Sequence, residues 1–115
     1  PYNAGATASD ALRMGLPVLT QMVESFAGRM GASLLNAVNL PELVTTTSEG
    51  YEALAVDLAT NAEKLSAIKK KLISNVPTAR LYDAPLFTNS LEAAYLIMYD
   101  RYQSGERPQD IDIEK

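Results

Sequence analysis

The first twenty residues, Pro1 to Thr20, constrain this chain most. A run of small residues, Asn3, Ala4, Gly5 and Ala6, leads into a short helix expected from Thr7 to about Met14. Gly15 supplies the stop, and Pro17–Thr20 follows as an apolar strand. A small-residue loop that opens a helix leaves backbone N–H groups pointing outward, with the positive end of the helix dipole behind them. Such a place can hold a phosphate. Asp10, three residues after Thr7, stands where a carboxylate can accept hydrogen bonds from sugar hydroxyls beside the phosphates. The same residues also fit a near capping box, with Thr7 as the hydroxyl N-cap and Asp10 as the acidic residue three positions on. On pattern alone both readings stand, and the cap is the simpler one.

The rest of the chain reads as helices punctuated by polar caps and prolines. A helix is expected from about Glu24 to Val38, with Phe26, Met30, Leu34 and Val38 as its apolar stripe. Ala27, Gly28, Gly31 and Ala32 lie among them. Glycine costs about 1 kcal/mol against alanine inside a helix, so two of them point to close packing on a sheet or a neighbouring helix. Arg29, mid-helix, is expected in a structural ion pair. Asn39-Leu40-Pro41 ends this helix, and Glu42–Thr45 reads as a short strand lying parallel beside Pro17–Thr20.

Thr45-Thr46-Thr47-Ser48 supplies hydroxyl caps for a helix from about Glu49 to Thr60, striped by Tyr51, Leu54, Ala55 and Leu58. Asn61 breaks it and caps the next, Ala62 to about Asn75, striped by Leu65, Ile68, Leu72 and Val76 and stopped by Pro77. Asp83 is the expected cap of a last helix running to about Gln103, with Pro85 in its first turn and Ser104-Gly105 after its end. Its stripe of Phe87, Leu91, Tyr95, Met98 and Tyr102 reads as core packing. Residues 108–115 read as a mobile tail.

Composition narrows the chemistry. A chain of 115 residues is one domain at most, and 47% hydrophobic residues support a packed core. A net charge of -4 argues against nucleic acid or an anionic membrane as the main partner. Lys69-Lys70-Lys71 falls late in its helix, where it complements the dipole as a solvated face. With no histidine and no cysteine, the chain itself offers neither a histidine base nor a thiolate metal site, and cysteine usage suits the cytoplasm.

Four blocks stand in a particular order: PYNAGATASDALRMGLPVLT, ESFAGRMGASLL, LPELVT and RLYDAPLFTNSLEAAYLIMYDRY. Together they resemble the carboxy-terminal catalytic lobe of O-linked N-acetylglucosaminyltransferase-type enzymes, glycosyltransferase family 41, in its SPINDLY-like form. The fold this implies is α/β and predominantly helical. It is a partial Rossmann-like lobe of a two-lobed GT-B enzyme, with two short parallel strands and about five helices.

The resemblance also implies a function. The parent would move N-acetylglucosamine from UDP-N-acetylglucosamine to serine or threonine of an acceptor protein, with no metal or other cofactor, in the cytoplasm and with tetratricopeptide repeats elsewhere in its chain. It implies that the loop Gly5-Ala6-Thr7 holds the donor diphosphate through main-chain N–H groups and a hydroxyl, and that Asp10 holds the ribose. Several relatives place a histidine and a second threonine where this chain has Gly5 and Ala6, so that side-chain contact to phosphate is lost here. Arg13 and Val23 stand where the family often has tryptophan and glycine, and those positions transfer nothing. The family's catalytic lysine and base lie outside this stretch, so no catalytic residue is named.

A nucleotide-binding lobe needs more parallel strands than this chain offers. The expectation is therefore a piece of a larger enzyme, inactive alone, with the remainder of the parent as a partner and a tendency to self-associate. Two rival readings stand beside this one: a GDP-fucose-dependent protein O-fucosyltransferase, and a non-catalytic helical interaction module.

Overall fold

The computed structural model describes residues 2–113. Polar caps decide where most of its helices begin. The helices over Ala6–Arg13 (α1), Phe26–Ala37 (α2), Ser48–Thr60 (α3), Ala62–Asn75 (α4) and Ala84–Gln103 (α5) follow one another in the chain. Ser25, Thr47, Asn61 and Asp83 cap the last four, accepting hydrogen bonds from Gly28 N–H at 3.1 Å, Gly50 N–H at 3.0 Å, Lys64 N–H at 3.0 Å and Leu86 N–H at 2.9 Å. Each bond satisfies one of the amides a helix leaves free in its first turn. The expected caps Asn61 and Asp83 and the hydroxyl run before α3 are thus where the sequence puts them.

Two short strands, Thr20–Gln21 (β1) and Val44–Thr45 (β2), pair in parallel, with Thr20 opposite Val44 and Gln21 opposite Thr45. Parallel strands need a crossover, and α2 supplies it. Both strands are shorter than expected. Pro17–Leu19 has no ladder partner, and Pro41–Leu43 closes into a single 3-10 turn with Pro41 at its entry. Asn39 ends α2 at φ 58, the left-handed cap that asparagine tolerates, and Gly15 ends α1 at φ 78.

Residues from α1, α2 and α4 build the core. Leu12, Leu35, Val38, Leu40, Leu43, Ile68 and Leu72 are buried together with Ala79, and Val18, Val44, Leu58 and Tyr82 pack around them. The expected stripe of α4 is borne out, since Ile68 and Leu72 are its buried residues. That of α2 is not. Its buried face is Gly28, Gly31, Ala32 and Leu35, while Phe26 stands 74% exposed. At Gly31 a side chain has no room, since even a Cβ would stand 2.4 Å from Thr20 Oγ1 of β1.

Arg29 makes no ion pair among the described residues; its guanidinium donates to the Glu24 carbonyl, just ahead of the Ser25 cap. The chain divides into two compact units, one through Tyr82 and one from Asp83. In the second, Gly105 at φ 71 follows α5, and Arg101 donates to the carbonyls of Gln109 and Asp110. The large side chains of α5 do not form a buried stripe: Phe87, Tyr95 and Tyr102 are all exposed, and the helix has no buried residue. No helix among the described residues is long and apolar enough to cross a membrane.

Candidate functional site

The entry to α1 differs from the other four helix entries. The helix begins at Ala6, one residue earlier than expected, with Gly5 in the N-cap position and no side-chain cap. Thr7 is therefore the second helical residue, and the capping box expected of Thr7 and Asp10 does not form. The first hydrogen bond of the helix runs from Ser9 N–H to the Gly5 carbonyl at 3.0 Å. The amides of Ala6 and Thr7, both on exposed residues, have no side-chain acceptor among the described residues and stand at the positive end of the helix dipole. Thr7 and Asp10 are both exposed, and three residues apart on a helix they share a face.

Three helix entries gather at one edge of the small sheet. Asn3, just ahead of α1, donates its backbone N–H to the Ala27 carbonyl in the first turn of α2 at 3.1 Å. Gln21 closes β1, and its Nε2 lies 3.4 Å from Ser48 Oγ in the first turn of α3. This is the carboxyl edge of the strands, where open parallel sheets place their ligands.

A cleft of about 350 Å³ lies there, lined by Tyr2, Asn3, Ala4, Thr20, Gln21 and Tyr51 among others. It reaches the loop at Ala4 and stops short of Thr7 and Asp10, which stand on the outer turn. Of the four residues expected to bind a donor, Gly5 is the bare N-cap, Ala6 and Thr7 follow it as the first two helical residues, and Asp10 lies one turn along.

Sequence reasoning missed the roles of Asn3 and Gln21. Asn3 precedes α1 and Gln21 ends β1, and nothing in their spacing separates a latch from a solvated loop. Gly31 was legible, as a second glycine inside a helix, and its expected close packing is against Thr20 of β1. No group of three or more acidic side chains that could hold a metal ion occurs among the described residues.

Comparison with known proteins agrees with this architecture. The model of Glycosyl transferase family 41 matches residues 2–91. The chain is similar to the barley (Hordeum vulgare) protein named probable UDP-N-acetylglucosamine--peptide N-acetylglucosaminyltransferase SPINDLY. The two are 36% identical over 108 residues, which is 94% of this chain and 11% of that protein. It is 34% identical over 103 residues to the UDP-N-acetylglucosamine--peptide N-acetylglucosaminyltransferase of Caenorhabditis elegans, covering 90% of this chain and 9% of that one.

Among solved structures it resembles a lysine-to-methionine mutant of the Thermobaculum terrenum O-GlcNAc transferase, at TM-score 0.81 and 35% identity, over 91% of this chain and 20% of that one. The chain therefore spans about a tenth of the length of the curated relatives it matches. The likeness in fold bears out the expected α/β, mostly helical piece of a GT-B lobe, with five helices and two parallel strands. With the larger part of its length matched, this chain belongs to glycosyl transferase family 41.

Proposed function

We propose that this chain is part of a protein O-glycosyltransferase that moves N-acetylglucosamine from UDP-N-acetylglucosamine to serine or threonine hydroxyls of an acceptor protein. The chain's own share is donor binding. The loop Gly5–Ala6 and Thr7, through main-chain N–H groups and the Thr7 hydroxyl, take the diphosphate, and Asp10 accepts from the ribose hydroxyls. The observation that carries this reading is the uncapped entry of α1, in a chain whose family is glycosyl transferase family 41. Every other α-helix here spends a side chain on its first turn, while α1 leaves its donors free.

In such a site the nucleoside diphosphate is the leaving group. As the bond to the sugar breaks, negative charge builds on the phosphate oxygen. Donors already aimed at that oxygen stabilise the transition state more than the ground state, which is catalysis of the oxyanion-hole type. A single such donor is worth about 2.7–4 kcal/mol where its loss has been measured in other enzymes. In this reading amides, and not a metal, take up the charge. The acceptor-activating base belongs to sequence outside this chain.

Titrating the intact protein with UDP and with GDP tests the donor, and transfer from UDP-N-acetylglucosamine to a serine- and threonine-containing peptide tests the reaction. Tighter binding of UDP together with sugar transfer is the expected result. Tighter binding of GDP would move the assignment to fucose transfer. A protein that binds no nucleotide sugar yet holds a protein partner would be an interaction module.

A further inference from the structure

Asn3 occupies an unusual place for a loop residue. Its backbone N–H donates to the Ala27 carbonyl at 3.1 Å, and its Oδ1 accepts from Gly31 N–H at 3.2 Å. Ala27 and Gly31 are four residues apart, so their carbonyl and amide are the two ends of a single helical station. Asn3 spans that station from outside. Its Nδ2 also donates to the carbonyl of Gln21, the last residue of β1, at 3.3 Å. The partners fix which way the amide points, since a carbonyl only accepts and an N–H only donates. All three partners are backbone groups of α2 and β1.

The approach is possible only because α2 carries glycine at this level. A Cβ on Gly31 would stand 3.2 Å from Asn3 Oδ1 and closer still to Thr20. Two residues after Asn3 comes Gly5, the bare N-cap of α1, whose missing Cβ would lie 3.8 Å from Cγ of Met30, the residue before Gly31 in α2. The loop is thus pinned to the sheet and to α2 immediately before its free amides begin.

We infer that Asn3 is the positioning residue of the α1 loop, holding the Gly5–Thr7 amides at the distance a diphosphate needs. The inference rests on the donor-diphosphate reading of that loop. Asn3 acts through the backbone: its side-chain oxygen and one Nδ2 hydrogen are engaged by backbone groups of α2 and β1. Misplacing a binding group by about 1 Å can cost about a hundredfold in rate, so a latch at this point matters more than its hydrogen bonds alone would suggest.

The test titrates the intact protein with UDP and with uridine, which lacks the phosphates, in four forms: wild type, Asn3→Ala, Thr7→Val and Asn75→Ala. Asn75 is a matched control, an asparagine whose Nδ2 donates to the Val38 carbonyl at 2.9 Å, outside the loop. Asn3→Ala is expected to weaken UDP by about tenfold or more while leaving uridine unchanged. Asn75→Ala is expected to lower thermal stability without changing the ratio of the two affinities. Should Asn3→Ala not fold, Asn3→Ser keeps the backbone bond to Ala27 and is read in the same way.

Unchanged UDP binding in the Asn3 variant, with Thr7→Val weakening it, would overturn the positioning role and leave the loop reading standing. Wild-type protein that binds UDP no better than uridine, or a silent Thr7→Val, would overturn the loop reading and the positioning role with it.

Discussion

Gly31 of α2 faces Thr20 of β1 so closely that a Cβ on Gly31 would stand 2.4 Å from Thr20 Oγ1 and 2.9 Å from Thr20 Cβ. Thr20 has little room to yield. It is 5% exposed, and its carbonyl accepts from Thr45 Oγ1 at 2.9 Å. Alanine in place of glycine gains about 1 kcal/mol of helix propensity in the open, but here the steric cost opposes it. Gly31→Ala is therefore expected to destabilise the fold by about 1–3 kcal/mol, the usual range for overpacking. Urea unfolding checks this, with the exposed Ser33→Ala on the same helix expected to stay within about 0.5 kcal/mol of wild type.

Capping and ligand binding make different demands on Thr7, and stability separates them. Asn61 accepts from Lys64 N–H and Thr47 from Gly50 N–H, so Asn61→Ala and Thr47→Ala are each expected to cost about 0.5–2 kcal/mol. Thr7 caps nothing, and Thr7→Ala is expected to lie within about 0.5 kcal/mol of wild type. The three variants measured side by side by urea unfolding give the contrast.

Tyr82 ties the end of the first unit to its beginning. Its hydroxyl donates to the Ser9 carbonyl in α1 at 2.8 Å, and the Arg13 guanidinium carbon lies 5.8 Å from the centre of its ring. Tyr82→Phe removes the hydrogen bond and keeps the ring. It is expected to cost about 0.5–1.5 kcal/mol and to speed amide hydrogen exchange in α1 over that in α4.

Glu42 and Lys71 form the pair that carries a pH signature. Partial burial pushes the Glu42 carboxyl up. The hydrogen bond from Lys71 Nζ at 2.7 Å, a backbone hydrogen bond and the Lys71 charge outweigh it, and the carboxyl is held below its ordinary range. A carboxyl depressed in the folded state stabilises that state above its unfolded pKa and loses the contribution as pH falls through the lower, folded value. Both side chains are about two-fifths exposed, so the pair is worth about 0–1 kcal/mol at neutral pH. Lys71→Met is expected to be the less stable protein at pH 7 by that amount. The gap should close as pH drops below the ordinary glutamate range, which urea midpoints taken across that range would show.

Much of the helical frame was legible because local chemistry decides it. Asn61, Asp83, Pro77 and Gly105 set the ends of α4 and α5, and no tertiary contact was needed to find them. The packing face of α2 was not legible by the same means. A period of four picks out Phe26, Met30, Leu34 and Val38 by size, while the buried face includes Gly28, Gly31 and Ala32, with Gly31 held against the Thr20 side chain. The site was half legible. The loop of small residues and Asp10 stand out in the sequence, but the start of α1 was placed one residue late. That shift is the difference between Thr7 as a cap and Thr7 as a free donor. The Asn3 latch joins residues far apart in the chain and leaves no mark on local pattern.

The central claim is that the bare entry of α1 and the carboxylate one turn along grip the diphosphate and ribose of a nucleotide sugar. Calorimetric titration of UDP into the intact protein, comparing wild type with Thr7→Val and Asp10→Asn, tests it most directly, with a thermal melt of each variant alongside. Weaker UDP binding in both variants at unchanged melting temperature is the predicted result. UDP bound equally well by all three proteins would contradict it.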